Sequence, residues 1–170
     1  MHRPREWILQ KFDLVLSGVV RAVRQVPLER LSWHSPDRGR DMRTFMAHIF
    51  FFLEYTMEAL RQGRFVVERI ADYDKDAQRF PDADAIARYG EEVHSRLRRF
   101  LMGLTDADLS RSVDSYAGNI DASTQLELAV GHTAQHLRHL YAYMQMMGIP
   151  PERPLTPQDL EGLPVPTILW

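Results

Sequence analysis

Hydrophobic positions recur at steps of three and four in four long segments of the chain, a spacing typical of amphipathic α-helices. The first segment runs from about Arg5 to Val26 and stops at Pro27, because a proline pushes the preceding residue out of the helical conformation. The second follows Asp41, a residue suited to cap a helix N-terminus, and continues to about Arg61. Both segments are long enough to cross a small domain.

The other two predicted helices each begin at a polar residue that can cap an N-terminus and end at a glycine: Asp82 or Asp84 to Gly103, and Ser123 or Thr124 to Gly148. The longest connection, residues 64–84, joins the second helix to the third. Its first part could extend the second helix, and its second part predicts a loop. Residues 111–121, RSVDSYAGNID, are polar and also predict a loop.

Four such segments without a strand pattern predict an all-α protein, a four-helix bundle with a long crossover between its second and third helices. We expect residues 1–170 to form a single domain. The tail, residues 150–170, is proline-rich and predicted to be extended. Its apolar end, Ile168, Leu169 and Trp170, predicts that it packs against the bundle.

Composition excludes several classes of function. The net charge of the 170-residue chain is -2 without a basic tract, which argues against a nucleic-acid partner. The sequence has no apolar run long enough to span a membrane and no signal-peptide pattern at MHRPREW. There is no cysteine, which excludes disulfides, thiolate metal sites and a cysteine nucleophile and is consistent with a cytoplasmic location.

Candidate chemistry concentrates in AVGHTAQHLRHLYAYMQMMG, residues 129–148 of the fourth helix. His132 and His136 lie four residues apart, so their imidazoles project together from an apolar, inward face. An ordinary pair of core histidines is the alternative. However, two adjacent buried imidazoles need several hydrogen-bond partners, and one metal ion satisfies both. His48, on the apolar stripe of the second helix between Phe45 and Phe52, is the candidate third ligand.

The other histidines are placed differently. His139 lies on the same side of the fourth helix and could act as an outer partner of a ligand, as an acid or base facing a substrate, or as a polar lining residue. His2, His34 and His94 lie near the terminus, in a loop and among charges, so we expect them at the surface.

A second apolar stripe follows the opposite side of the fourth helix. It predicts either contact with both neighbouring helices or a homodimer interface. The stripe consists of Val130, Ala134, Leu137, Tyr141 and Met144.

The chain resembles the DinB-like superfamily of metal-dependent proteins along most of its length. The resemblance is carried, in order, by RDMRTFMAHIF, LTDADLSRSV, GHTAQHLRHLYAYMQMMGIPPERPL and the closing LEGLPVPTILW. It implies an up-down-down-up bundle, frequent homodimers and a divalent metal, often zinc or nickel, held at the positions of His48, His132 and His136. The family more often has glutamine at the position of His139, so no role is transferred there.

Some characterised relatives in that family use an external thiol cofactor. The resemblance therefore implies a metal-dependent transferase that activates a low-molecular-weight thiol towards an electrophilic small molecule. A hydrolase that uses metal-activated water and a non-catalytic metal-binding stress protein are the alternatives.

Overall fold

The computed structural model describes residues 3–35 and 39–163. In this part of the chain the structure is mostly helical, with four long helices and two short ones: α1 (Arg5–Arg24), α2 (Met42–Gln62), α3 (Ile70–Lys75), α4 (Ala83–Met102), α5 (Asp106–Leu109) and α6 (Ala122–Met146). Two short antiparallel strands, β1 (Ser112–Ser115) and β2 (Gly118–Asp121), lie between α5 and α6. The predicted all-α class and the four long helices are confirmed.

The directions of the long helices follow from which of their ends meet. The contacts show that α1 is antiparallel to α4, that α2 is parallel to α4, and that α2 is antiparallel to α6. The contacts between α1 and α4 are Arg24–Asp84 and Arg5–Leu104. Those between α2 and α4 are Glu54–Tyr89 and Arg61–Phe100, and those between α2 and α6 are Phe45–Tyr143 and Phe52–His132. The topology is therefore up-down-down-up, as the resemblance implies, and it places α2 directly against α6.

Helix N-termini show where capping was predicted correctly. The Asp41 and Asp82 side chains accept hydrogen bonds from backbone N–H groups three residues ahead, as expected for α2 and α4. The predicted start of the fourth long helix was late, because the cap of α6 is Asp121, whose carboxylate accepts from the Thr124 N–H at 2.7 Å. The short helix α5 follows Thr105, which forms a capping box with Asp108.

The loop prediction for residues 111–121 was wrong in part, because β1 and β2 pair there as a hairpin. Val113 faces the interior and is fully buried, and Gly118 adopts a φ of +97° at the turn, a conformation that favours glycine. The hairpin also contacts the crossover, since the Phe65 N–H donates to the Asp114 carbonyl at 2.7 Å. Each strand has only four residues, too few for a clear alternation of polar and apolar positions.

The crossover between α2 and α4 is folded rather than a plain loop. A 3-10 turn (Val67–Arg69), α3 and a second 3-10 turn (Asp76–Arg79) follow one another along it. Ile70 and Ala77 are buried, and the Tyr73 hydroxyl donates to the Glu58 carboxylate on α2 at 2.5 Å. These contacts hold α3 beside α2, next to the site described below.

The second apolar stripe of α6 is buried inside the chain. All five of its side chains are at most 8% exposed. Leu137 lies beside Gly18 of α1, and the Tyr141 hydroxyl donates to the Arg153 carbonyl in the tail at 2.8 Å. The stripe therefore contacts neighbouring elements of the same chain and does not support a dimer interface at this place. The homodimer itself stays a prediction.

The described part of the tail lies against the bundle. Lys11 Nζ donates to the Glu161 carbonyl at 2.8 Å, and Leu163 is buried. A 3-10 turn at Pro157–Leu160 interrupts the predicted extended conformation. The predicted packing of Ile168, Leu169 and Trp170 lies outside the described residues. None of the helices in residues 3–35 and 39–163 is long and apolar enough to cross a membrane.

Candidate metal centre

Three imidazoles from two facing helices meet between α2 and α6. His48 comes from α2, and His132 and His136 lie one turn apart on α6. One ring nitrogen from each of the three lies within 4.8 Å of the others. Among the described residues, this is the group of histidine, aspartate and glutamate side chains placed to hold a metal ion. The structure thus brings together the three predicted ligands, and their coordination of a metal stays a prediction.

The spacing of the nitrogens fits one small ion. The Nε2 atoms of His132 and His136 are 3.0 Å apart. Two imidazole nitrogens bound to one zinc at about 2.0–2.1 Å and at a tetrahedral angle lie about 3.4 Å apart. The ring of His48 completes the group, with centroid distances of 5.5 Å to His132 and 5.3 Å to His136.

Electrostatics also favours a neutral imidazole at His132. Burial, and after it the charges of His48 and Arg40, lowers the pKa of His132 to about 3. His132 is therefore neutral near pH 7, the form in which an imidazole binds a metal. Its Nδ1 is buried and has no hydrogen-bond partner among the described residues, so the polar atoms of this ring are incompletely satisfied by the protein alone.

Aromatic side chains form the walls of the site. The ring of Phe52 stacks on His132 with centroids 3.6 Å apart, and Phe45 meets His136 edge-on at 5.3 Å. Tyr143 packs against Phe45 at 5.0 Å. The apolar stripe that surrounds the histidines in the sequence therefore becomes a low-dielectric wall, in which charges interact more strongly than in water.

His48 is held by a residue that the sequence did not reveal. Its Nδ1 lies 2.8 Å from Oδ1 of Asp74, which is on α3 in the crossover. The other carboxylate oxygen of Asp74 accepts a hydrogen bond from Arg40 Nε at 2.7 Å. No spacing signal connects these residues, because Asp74 lies in the segment without helical period and acidic residues are common throughout the chain.

The sequence profile of the DinB superfamily matches residues 11–140, which include most of α1, all of α2, the crossover and α4, and all three clustered histidines. The chain belongs to the DinB superfamily. No characterised protein in a curated collection matches it closely in sequence.

Solved structures show the same DinB fold at low sequence identity. YfiT from Bacillus subtilis, described as a probable metal-dependent hydrolase with an unusual four-helix bundle topology, matches with a TM-score of 0.71 and 20% identity, over 86% of this chain and 89% of that one. A DinB-like protein from Bacillus subtilis matches with a TM-score of 0.66 and 19% identity, over 88% and 96%.

A mycothiol-dependent maleylpyruvate isomerase also matches, with a TM-score of 0.69 and 18% identity over 81% of this chain. The match spans 61% of that enzyme, so the isomerase contains a substantial portion without a counterpart here. At these identities the comparisons establish the fold that this chain shares with its DinB relatives.

The other histidines that the structure describes, His34, His94 and His139, lie outside the group of three. His139 accepts a hydrogen bond from Gln135 Nε2 at 3.1 Å and stacks on Tyr143 with centroids 6.1 Å apart. Its ring centroid is 5.8 Å from that of His136, which places it next to the cluster but outside the group of three. Its predicted role as a catalytic residue stays a prediction.

His34 is exposed and lies in the loop before α2, as predicted. His94 is half-buried, and its Nε2 lies 2.7 Å from Asp13 of α1, so it belongs to the contact between α1 and α4. The surface position predicted for His2 lies outside the described residues.

Proposed function

We propose that this DinB protein is a metal-dependent transferase that activates a low-molecular-weight thiol towards an electrophilic small molecule. The observation that supports the proposal best is the convergence of His48, His132 and His136, with no fourth ligand in the group among the described residues. Three protein ligands leave a coordination position for a small molecule, as in catalytic zinc sites, whereas structural sites usually have four.

The donor set suits zinc or nickel, because imidazole nitrogen is a ligand that both metals accept. A divalent ion bound by three neutral imidazoles keeps its full charge, and it would acidify a water or a thiol in the open position. The chain has no cysteine, so the sulfur for a thiol transfer has to come from a separate small molecule. In that reaction the thiolate sulfur forms a bond to the electrophilic carbon, and the leaving group departs with the bonding electron pair.

The side chains around the cluster serve this reaction by orientation and by exclusion of water. His48 and His136 are both less than 10% exposed, and Phe45 and Phe52 cover their sides. Fixed rings in an apolar wall present their nitrogens in one geometry and limit competing hydrolysis. The thiol-dependent isomerase among the structures that share the fold adds support for this reading.

The second candidate is a hydrolase that uses activated water at the same position. It is supported by the same open coordination and by the hydrolase description of YfiT. A non-catalytic metal-binding stress protein is the third candidate, and it requires a ligand set closed to small molecules. We further propose a small-molecule substrate and a homodimer, which the family resemblance supports. We also propose a cytoplasmic location, with which the absence of cysteine is consistent.

One experiment separates the three candidates. Untagged protein loaded with zinc or nickel is incubated with a small thiol and a halogenated nitroaromatic compound, and in parallel with an activated ester without thiol. We expect loss of the nitroaromatic that requires both metal and thiol and is abolished in His132→Ala. Turnover of the ester alone selects the hydrolase, and absence of turnover with firmly bound metal selects the non-catalytic protein. Thiol transfer that survives removal of the metal would contradict the mechanism.

A further inference from the structure

We propose that Asp74 is a positioning residue for the candidate metal ligand His48, which it holds in a single tautomer and ring orientation across the contact between α3 and α2. The inference rests on the proposed metal site. It gives the long crossover a specific role, since the crossover carries the carboxylate that prepares one of the three ligands.

The hydrogen-bond geometry determines which nitrogen of His48 faces the metal position. Oδ1 of Asp74 lies 2.8 Å from Nδ1 of His48, and an ionised carboxylate can only accept hydrogen bonds. The proton of the neutral imidazole is therefore on Nδ1, and the lone pair is on Nε2. A metal ligand needs that lone pair, so Nε2 is the coordinating atom.

Asp74 itself is fixed from its other side. Arg40 Nε donates to its Oδ2 at 2.7 Å, so each carboxylate oxygen has a partner. The positive charge of Arg40 favours the ionised form of the Asp74 carboxylate, which can only accept hydrogen bonds. Only 13% of the Asp74 side chain is exposed. Because Arg40 balances its charge, Asp74 orients His48 without a net negative charge beside the metal position.

Two of the candidate ligands, His132 and His48, differ in this respect. The Nδ1 atom of His132 has no hydrogen-bond partner among the described residues, whereas that of His48 has an ionic one. A carboxylate that accepts from the distal nitrogen of a ligating histidine is a recurrent arrangement in metalloproteins, and its loss typically lowers metal affinity by about 10–100-fold. His48 is thus a candidate ligand whose orientation depends on a second residue that the structure identifies.

The test uses the full-length protein and compares Asp74→Ala and Asp74→Asn with Asp72→Ala as the matched control. Asp72 is on the same short helix, but it is exposed and pairs with Lys75. Zinc affinity is measured by competition with a chromophoric chelator. We expect a loss of about 10–100-fold for Asp74→Ala, a smaller loss for Asp74→Asn, which keeps an acceptor oxygen, and no change for the control.

A second readout does not depend on metal. Nitrogen-15 NMR of the apo protein reports the tautomer of the His48 ring, identified by its loss in His48→Ala. We expect Nδ1 to carry the proton in the wild type, and we expect a mixture of tautomers in Asp74→Ala. Circular dichroism confirms that each variant is folded. If Asp74→Ala does not fold, Asp74→Leu, which also lacks an acceptor oxygen but fills the space of the carboxylate, carries the comparison.

Wild-type zinc affinity, or an unchanged His48 tautomer, in a folded Asp74 variant without an acceptor oxygen would overturn the inference. A third variant, Arg40→Gln, removes the ion pair and leaves the bond from Asp74 to His48. If Arg40→Gln loses as much zinc affinity as Asp74→Ala without a change in the His48 tautomer, Asp74 acts only by holding the crossover in place, and the inference is wrong. If the wild type binds no metal, the proposed function fails, and the tautomer experiment still decides the role of Asp74.

Discussion

At the scale of single residues, the histidines in and beside the cluster have different surroundings. His132 is neutral because burial depresses its pKa, and it stacks on Phe52. His48 is oriented by Asp74 from another element. His139, which the sequence places on the same side of the helix, lies outside the group and against Tyr143. The chemistry of each ring therefore depends on contacts between elements.

The clustered histidines could be predicted from the sequence, but the residues that orient His48 could not. The spacing of His132 and His136 and the apolar stripe around His48 are periodic features, which a helical pattern reveals. Asp74 and Arg40 lie in connecting segments without a period, and nothing in their local sequence separates them from the other charged residues. Only the folded crossover brings Asp74 to His48.

Substitution of a clustered histidine tests the ligand set. We predict that His132→Ala lowers zinc affinity by more than the roughly 10–100-fold expected for loss of an outer partner, because it removes a coordinating nitrogen. The chelator-competition assay described above measures the change, and His94→Ala serves as the control, since His94 pairs with Asp13 away from the cluster. Equal affinity in His132→Ala and the wild type would remove His132 from the ligand set.

At the scale of elements, the helices follow from hydrophobic period and the remaining structure depends on longer-range contacts. The four long helices were predicted within a few residues of their observed ends. The hairpin of β1 and β2 was missed because its strands are too short to show a period, and the cap of α6 was missed because Asp121 belongs to the end of β2. The folded crossover was missed because α3 has only six residues.

The contact between α2 and α4 depends on the absence of a side chain at Gly90. A Cβ placed there would lie closer than 3.0 Å to three carbons of the Phe50 ring, which is fully buried. Helix propensity alone would make Gly90→Ala stabilising by about 0.5–1 kcal/mol. Overpacking costs about 1–3 kcal/mol, so we predict net destabilisation.

Chemical denaturation measures this change in the free energy of unfolding, with Phe50→Leu in the Gly90→Ala background as the matched variant. The smaller side chain should recover part of the loss that Gly90→Ala causes. A Gly90→Ala variant more stable than the wild type would show that Phe50 moves aside at little cost.

The contact between α1 and α4 includes an ionic cluster whose effect depends on pH. Burial raises the pKa of Asp13, but hydrogen bonds from Arg98 and His94 outweigh it and lower the pKa below its usual range. The charged form of Asp13 therefore favours the folded state, and its contribution is present above the unfolded pKa of about 3.9 and is lost as pH falls through the lower folded value.

Asp13→Asn should accordingly reduce stability at pH 7 by at most about 1 kcal/mol, because the side chain is 36% exposed and solvent screens the pair. The difference from the wild type should shrink as the pH falls below about 4. Denaturant titrations at pH 7, 5 and 3.5 measure it. A difference that grows towards acidic pH would contradict the assigned direction of the shift.

At the scale of the whole molecule, the up-down-down-up topology creates the candidate site. It sets α2 antiparallel against α6, so that His48 faces the turn of α6 that carries His132 and His136. The parallel arrangement of α2 and α4 needs a long crossover, and that crossover brings Asp74 behind His48. The topology, the histidine cluster and the Asp74 carboxylate are therefore parts of one arrangement in this chain.

The central claim is that this chain binds a divalent metal through the three histidines. The most direct test is elemental analysis of untagged, full-length protein purified without a metal-affinity column, followed by thermal unfolding with and without a chelator. We predict about one equivalent of zinc or nickel per chain. Restoring free metal at 100 times its dissociation constant should stabilise the apo protein by about 2.7 kcal/mol. Protein that contains no such metal, and whose melting temperature does not respond to added zinc or nickel, would contradict the account.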